Sequence, residues 1–183
     1  MARIAAPNLP GITALFAFRP ETGGALCQLA ETLLRGPSPL SSAERETIAA
    51  VVSRSNDCHF CCRSHAAAAA AWLGGDISSV NAACDDVESA PLSEKMKALL
   101  QVALQVRESG KAVTDAAVAR ARAAGVTDVE LHDTVLIAAA FCMFNRYVDG
   151  LQTFAPPHDA DYVEMGQMMA HMGYMRARDV AVG

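Results

Sequence analysis

Six consecutive alanines, Ala66 to Ala71, and a second alanine-rich run from Ala116 to Ala124 constrain the fold of this chain more than any other feature. Alanine has the highest intrinsic helix propensity and lacks the branched or aromatic bulk that favours strands. Hydrophobic residues make up 52% of the chain but aromatics only 5%, which tilts the rest of the sequence the same way. The expected class is all-α. With 183 residues the chain can build one substantial core, so a single domain spanning 1–183 is expected.

Capping signals divide the chain. Pro7, Pro10, Gly11 and Pro20 predict an extended N-terminal arm over residues 1–20, because each proline biases its predecessor away from helix. Such an arm is suited to packing on a neighbouring subunit. A first helix is predicted over about Thr22 to Leu34, before Gly36, Pro37 and Pro39. Ser41 with Glu44 forms a capping box that opens a helix to about Ser55. Asn56 and Asp57 then break the periodicity, and a helix from Cys58 to Leu73 is closed by Gly74 and Gly75. Further helices are predicted over about Ser78 to Val87, Ser93 to Glu108 and Thr114 to Ala124. A second capping box, Thr127 with Glu130, opens a long apolar helix to about Val148, which completes a core at 38–151. A C-terminal helix is expected within 159–175, from about Asp161 to Tyr174. Its methionines Met165, Met168, Met169 and Met172 read as core or subunit contact.

The net charge of −5 lacks the basic footprint that phosphate neutralisation requires, so nucleic acid is not an expected partner. The longest strongly apolar stretch, Val135 to Phe144, falls short of the roughly 20 residues needed to cross a bilayer. Met1 to Ile12 shows no n-region, h-region and cleavage pattern. No membrane association and a cytoplasmic location are therefore expected.

The chemistry sits among the cysteines. Of Cys27, Cys58, Cys61, Cys62, Cys84 and Cys142, three cluster with His65 at helical spacing near a helix start. Clustered thiols in the cytoplasm read as redox or metal chemistry. Cys58 and Cys61 lie three apart and can bring their sulfurs together, and His65 stands one turn beyond Cys61. The partial positive charge at a helix start favours thiolate, which by position alone favours Cys58 as the more acidic thiol. A thiolate that attacks a peroxide becomes a sulfenic acid, which a neighbouring thiol condenses to a disulfide. His65 can move the proton, and Glu46 on the preceding helix can fix its tautomer. Zinc is the chemical rival, with Cys58, Cys61, His59 and His65 as possible ligands, yet no second ligand pair is present. His59 reads as surface, Cys62 as a packed bystander, and Cys27, Cys84 and Cys142 as small core residues. Glu46, Cys58, Cys61 and His65 also share their spacing with Glu130, Cys142, Asn145 and Asp149, a duplicated unit or a coincidence.

The segment Glu46 to His65 resembles the Glu-x11-Cys-x2-Cys-x3-His signature of the AhpD-like alkyl hydroperoxidases, within the carboxymuconolactone decarboxylase superfamily. Ser41-Ser42-Ala43-Glu44-Arg45-Glu46 before it and Phe144-Asn145-Arg146-Tyr147-Val148-Asp149-Gly150 after it are similar to the peroxidase-related branch. The resemblance implies an all-helical bundle whose helix-turn-helix bears the Cys-x-x-Cys pair, assembled as homo-trimers or hexamers. It also implies reduction of alkyl hydroperoxides without a cofactor, at the expense of an unidentified thiol or dithiol reductant. By that analogy Cys61 attacks the peroxide, Cys58 resolves and meets the reductant, and His65 with Glu46 forms the proton relay. Well-characterised members carry a second relay histidine directly before the second cysteine, where this chain has Phe60. The decarboxylase branch lacks the cysteine pair, which disfavours ring decarboxylation. The alternatives are a non-catalytic oligomer whose cysteines bind metal or sense oxidants, and a general disulfide reductase.

Overall fold

The computed structural model describes residues 2–175, and these contain nine α-helices and no strand. In chain order they are α1 (Ile12–Phe18), α2 (Pro20–Arg35), α3 (Ser42–Ser55), α4 (His59–Trp72) and α5 (Ser78–Asp85). Then follow α6 (Glu94–Glu108), α7 (Asp115–Ala123), α8 (Asp128–Leu151) and α9 (Asp159–Met172), with one 3-10 turn at Gly110–Ala112. The class is all-α, as alanine content and capping pattern lead one to expect.

Both capping boxes close. The Glu44 amide donates to Ser41 Oγ at 3.2 Å while the Glu44 carboxylate accepts from the Ser41 amide at 2.8 Å. Thr127 and Glu130 repeat the exchange at 3.3 and 2.8 Å. Each box satisfies amides that a helix start leaves without intrahelical partners, so α3 and α8 begin where the sequence says.

The N-terminal arm is a correction. Among the described residues only 2–11 and Arg19 lack helix before α2; Ile12 to Phe18 form α1, whose Ala14, Leu15 and Phe16 are buried. Pro20 does keep Arg19 out of helical backbone, with φ −133° and ψ 80°, but it thereby ends α1 and serves as the first residue of α2. The prolines therefore punctuate two helices rather than hold one extended segment.

The core is built around α3, with Ile48 to Val52 all buried and α4, α6 and α8 packed on it. On its other side α4 meets α9, and the alanines let the backbones approach closely. At Gly166 of α9 an added Cβ would lie 2.5 Å from the Ala67 carbonyl carbon, so this crossing admits no side chain. Helix α8 runs 24 residues and is long and apolar enough by length and composition to cross a membrane. That exceeds the Val135 to Phe144 stretch because the helix continues past it at both ends. In the fold its Ile137, Ala138, Phe141, Phe144 and Val148 are buried as a core face.

The spacing shared by Glu46–His65 and Glu130–Asp149 does not correspond to a repeated structure. The first set spans α3, a turn and α4, whereas the second lies on one continuous helix. Glu130 caps α8 and pairs with Lys95 instead of contacting a histidine.

Candidate active site

The turn between α3 and α4 presents the cysteines. Asn56 closes α3, Asp57 takes a left-handed φ of 60°, and Cys58 is the N-cap of α4. Asn145 of α8 holds this turn: it donates to Ser53 Oγ at 3.0 Å and accepts from Asn56 Nδ2 at 2.8 Å. The Cys58 amide completes the turn by donating to the Ser53 carbonyl at 2.9 Å.

Cys58 and Cys61 are in hydrogen-bond contact, and both are buried, at 0% and 3% exposure. The bond to Cys61 and the burial push the Cys58 thiol well above its ordinary pKa. Cys58 therefore keeps its proton, which corrects the expectation from helix position. The helix start does pull the other way, through the Cys61 backbone amide, but that lowering is smaller than the bond to the Cys61 side chain and the burial that raise it. Asp149 of α8 also bonds the Cys58 thiol. Burial raises its carboxyl above the usual range, the bond to Cys58 partly offsets that, and neighbouring Asp57 adds to the rise. Tyr162 packs with the same sulfurs, and among the described residues its buried hydroxyl has no hydrogen-bond partner.

His65 Nδ1 lies 2.7 Å from Glu46 Oε2. An ionised Glu46 accepts the Nδ1 proton, which leaves Nε2 as the basic nitrogen of the ring. The other carboxylate oxygen, Oε1, accepts from the Tyr174 hydroxyl at 2.5 Å. Phe141 meets the His65 ring edge-on at 4.5 Å between centroids, and Tyr174 stacks over it at 6.1 Å. The orientation of His65 is thus fixed from three sides.

Cys61 and His65 share the wall of an apolar cavity of about 260 Å³. Its lining comes from α1, α2, α4, α8 and α9, and includes Phe16, Phe60, Phe144 and Met165. Met168 and Met169 line it too, so the methionine run of α9 serves a cavity as well as the core. Phe60, at the position of the additional histidine in the resemblance, is buried with its ring against Gly11. It contributes wall rather than a proton carrier.

Sequence spacing brings together all four expected residues, Glu46, Cys58, Cys61 and His65. It missed Tyr174, which lies 128 residues from Glu46 and carries no local pattern. It missed Asp149, although the residue stands in the flanking segment quoted above. Cys62 and Cys84 also depart from expectation. Both are only half-buried, and they are in hydrogen-bond contact with each other, so neither is an isolated packing residue. Cys27 and Cys142 are buried, and His59 is exposed and 3.4 Å from Arg63. Among the described residues no three His, Cys, Asp or Glu side chains are gathered to hold a metal ion.

Residues 20–103 match the carboxymuconolactone decarboxylase family, a span that contains Glu46, Cys58, Cys61 and His65. The chain is similar to an uncharacterized peroxidase-related protein from Silicibacter sp. TM1040, with 28% identity and a TM-score of 0.75, covering 84% of this chain and 78% of that one. It shares its fold with an alkylhydroperoxidase AhpD core protein, an uncharacterized peroxidase-related protein from Ralstonia eutropha JMP134. There the identity is 23% and the TM-score 0.76, covering 87% of this chain and 82% of that one. No curated protein matches the chain.

Proposed function

We propose that this protein, whose residues 20–103 match the carboxymuconolactone decarboxylase family, is an AhpD-like thiol-dependent peroxidase. It reduces alkyl hydroperoxides through a Cys58/Cys61 dithiol–disulfide cycle in which His65 and Glu46 relay the proton. The observation that carries the reading is the asymmetry of the cysteine pair. Cys61 borders the apolar cavity beside His65, while Cys58 lines a separate cavity among charged and polar side chains and has its thiol pushed up by the bond to Cys61 and by burial.

The Cys61 thiolate attacks the terminal peroxide oxygen, an S–O bond forms and the O–O bond breaks. The departing alkoxide takes its proton from the His65 imidazolium, whose charge Glu46 stabilises. Cys58 then attacks the Cys61 sulfur, an S–S bond forms and hydroxide leaves as water with the Cys58 proton. Asp149, beside the Cys58 thiol, is placed to take that proton as the sulfur becomes nucleophilic and to hand it to the departing hydroxide. An external dithiol returns two electrons and two protons. The apolar cavity suits an organic hydroperoxide with a hydrocarbon body, because such a group gains by leaving water.

Assembly as a homo-oligomer in the cytoplasm belongs to the same proposal. Val129, Leu136 and Met143 of α8 are exposed at intervals of seven residues, which places them along one helix face. A monomer in light scattering would remove this part.

The test of the function is peroxide-dependent loss of thiols. With a dithiol reductant in excess, organic hydroperoxide is expected to be consumed catalytically by the wild type and not by Cys61→Ser. Equal consumption by that variant would overturn the assignment.

A further inference from the structure

Cys62 and Cys84 take no part in the cycle above, yet they stand beside it. Cys62 lies one helical turn after Cys58, its amide donating to the Cys58 carbonyl at 3.0 Å, so the two side chains share one end of α4. Cys84, on α5, is in hydrogen-bond contact with Cys62. Cys58, Cys62 and Cys84 line one cavity of about 280 Å³ that has no lining residue in common with the apolar cavity at Cys61. Access makes the arrangement chemically pointed. Cys58 is 0% exposed and offers no surface to a bulky reductant, whereas Cys62 and Cys84 are only partly buried.

We propose that Cys62 and Cys84 form a second redox-active dithiol, which takes over the disulfide from Cys58–Cys61 and passes it to an external dithiol reductant. The proposal deepens the peroxidase reading and rests on it for the source of the first disulfide. In the first step the Cys62 thiolate attacks Cys58 Sγ; a Cys62–Cys58 bond forms, the Cys58–Cys61 bond breaks, and Cys61 leaves as thiolate. Cys84 then loses its proton and attacks Cys62 Sγ, forming the Cys62–Cys84 disulfide and releasing Cys58, which takes up the proton. Two electrons have moved from the outer pair to the inner one. The external dithiol reduces Cys62–Cys84 by the same exchange.

The surroundings suit these roles. The hydrogen bond from Cys84 draws the Cys62 thiol below its ordinary pKa; burial opposes this, and the Arg54 and Arg63 guanidiniums reinforce it. Cys84 is pushed up by holding the proton of that bond and by burial, so Cys62 is the attacking member. The lining balances two arginines, Arg54 and Arg63, against Asp57 and Asp85, so the cavity is charged and partly open rather than the apolar surroundings in which inert structural cysteines sit.

Fully reduced wild type and Cys84→Ser, full chain in each case, would receive one equivalent of cumene hydroperoxide. Samples quenched at intervals with N-ethylmaleimide would be peptide-mapped without reduction. In the wild type a Cys58–Cys61 link is expected first, declining as a Cys62–Cys84 link rises, with the total staying at one disulfide per peroxide. In Cys84→Ser the disulfide is expected to remain on Cys58 with either Cys61 or Cys62. A Cys58–Cys61 link that persists in the wild type while Cys62 and Cys84 stay alkylatable overturns the relay. If peroxide forms no Cys58–Cys61 link, the peroxidase reading fails, and the same map after one equivalent of diamide decides the exchange alone. Transfer to Cys62–Cys84 then supports the second dithiol, and its absence overturns it.

Discussion

The hydroxyl of Tyr174 donates to Glu46 Oε1 at 2.5 Å, joining the segment just after α9 to α3 inside the protein. Its partner oxygen on the same carboxylate holds His65, so one buried acid serves two elements far apart in the chain. The tyrosine is itself anchored, its amide donating to Glu31 Oε2 at 2.8 Å. Gly173 makes that approach possible: with φ at 77°, an added Cβ would lie 2.5 Å from the same Glu31 oxygen.

Tyr174→Phe is expected to lower both stability and turnover. It leaves Glu46 Oε1 without its donor in a site of 1% exposure, which costs about 1–3 kcal/mol. Burial, the Glu46 charge and the bond to Glu46 hold the phenol well above its ordinary pKa. A folded value above the unfolded one, near 10, means that this group's stabilisation is complete below about pH 10 and is lost at higher pH. Urea unfolding of the wild type should therefore weaken more steeply above about pH 10 than that of the variant. Parallel curves would show that Tyr174 does not carry this dependence.

Removing the base should matter more than loosening it. His65→Ala is expected to slow peroxide reduction by about 10²–10⁴-fold, the usual range for a lost general acid or base. Glu46→Gln keeps a hydrogen-bond acceptor for Nδ1 and should slow it less. Single-turnover rates with an organic hydroperoxide rank the two, and a larger loss in Glu46→Gln would contradict the relay order.

The two active-site thiols should differ in reactivity. Because Cys58 is held protonated by its bond to Cys61, Cys61 is expected to be alkylated by iodoacetamide at least about tenfold faster at neutral pH, corresponding to roughly 1.4 kcal/mol. Cys58→Ser should leave a sulfenic acid at Cys61 that dimedone traps after one equivalent of peroxide. Dimedone on another cysteine instead would reassign the peroxide-attacking sulfur.

Gly166→Ala tests the α4–α9 crossing. A methyl group placed 2.5 Å from the Ala67 carbonyl carbon must push the helices apart, and overpacking of this kind costs about 1–3 kcal/mol. Chemical unfolding should report that loss. Displacing α9 should also move Tyr174 and reduce turnover beyond what the lost stability explains; unchanged stability would mean that the crossing yields freely.

Much of the fold was legible because its signals are local. Ser41 with Glu44 and Thr127 with Glu130 set helix starts through bonds that span three residues. The Glu46–His65 pair was legible for a related reason: adjoining helices joined by a short turn leave few ways for their faces to meet. Helix α1 was hidden because prolines at both of its ends read as one extended arm, when each in fact bounds a helix.

Alanine content, capping chemistry and the spacing of two thiols, an imidazole and a carboxylate were enough, from sequence alone, to determine an all-helical protein with Glu46, Cys58, Cys61 and His65 as its candidate centre. Tertiary structure alone decided which cysteine keeps its proton, that Tyr174 and Asp149 join the site, and that Cys62 meets Cys84. The physical reason is range. Propensity and capping act over a turn of helix, but burial and contact between distant residues come into being only when separate helices pack together.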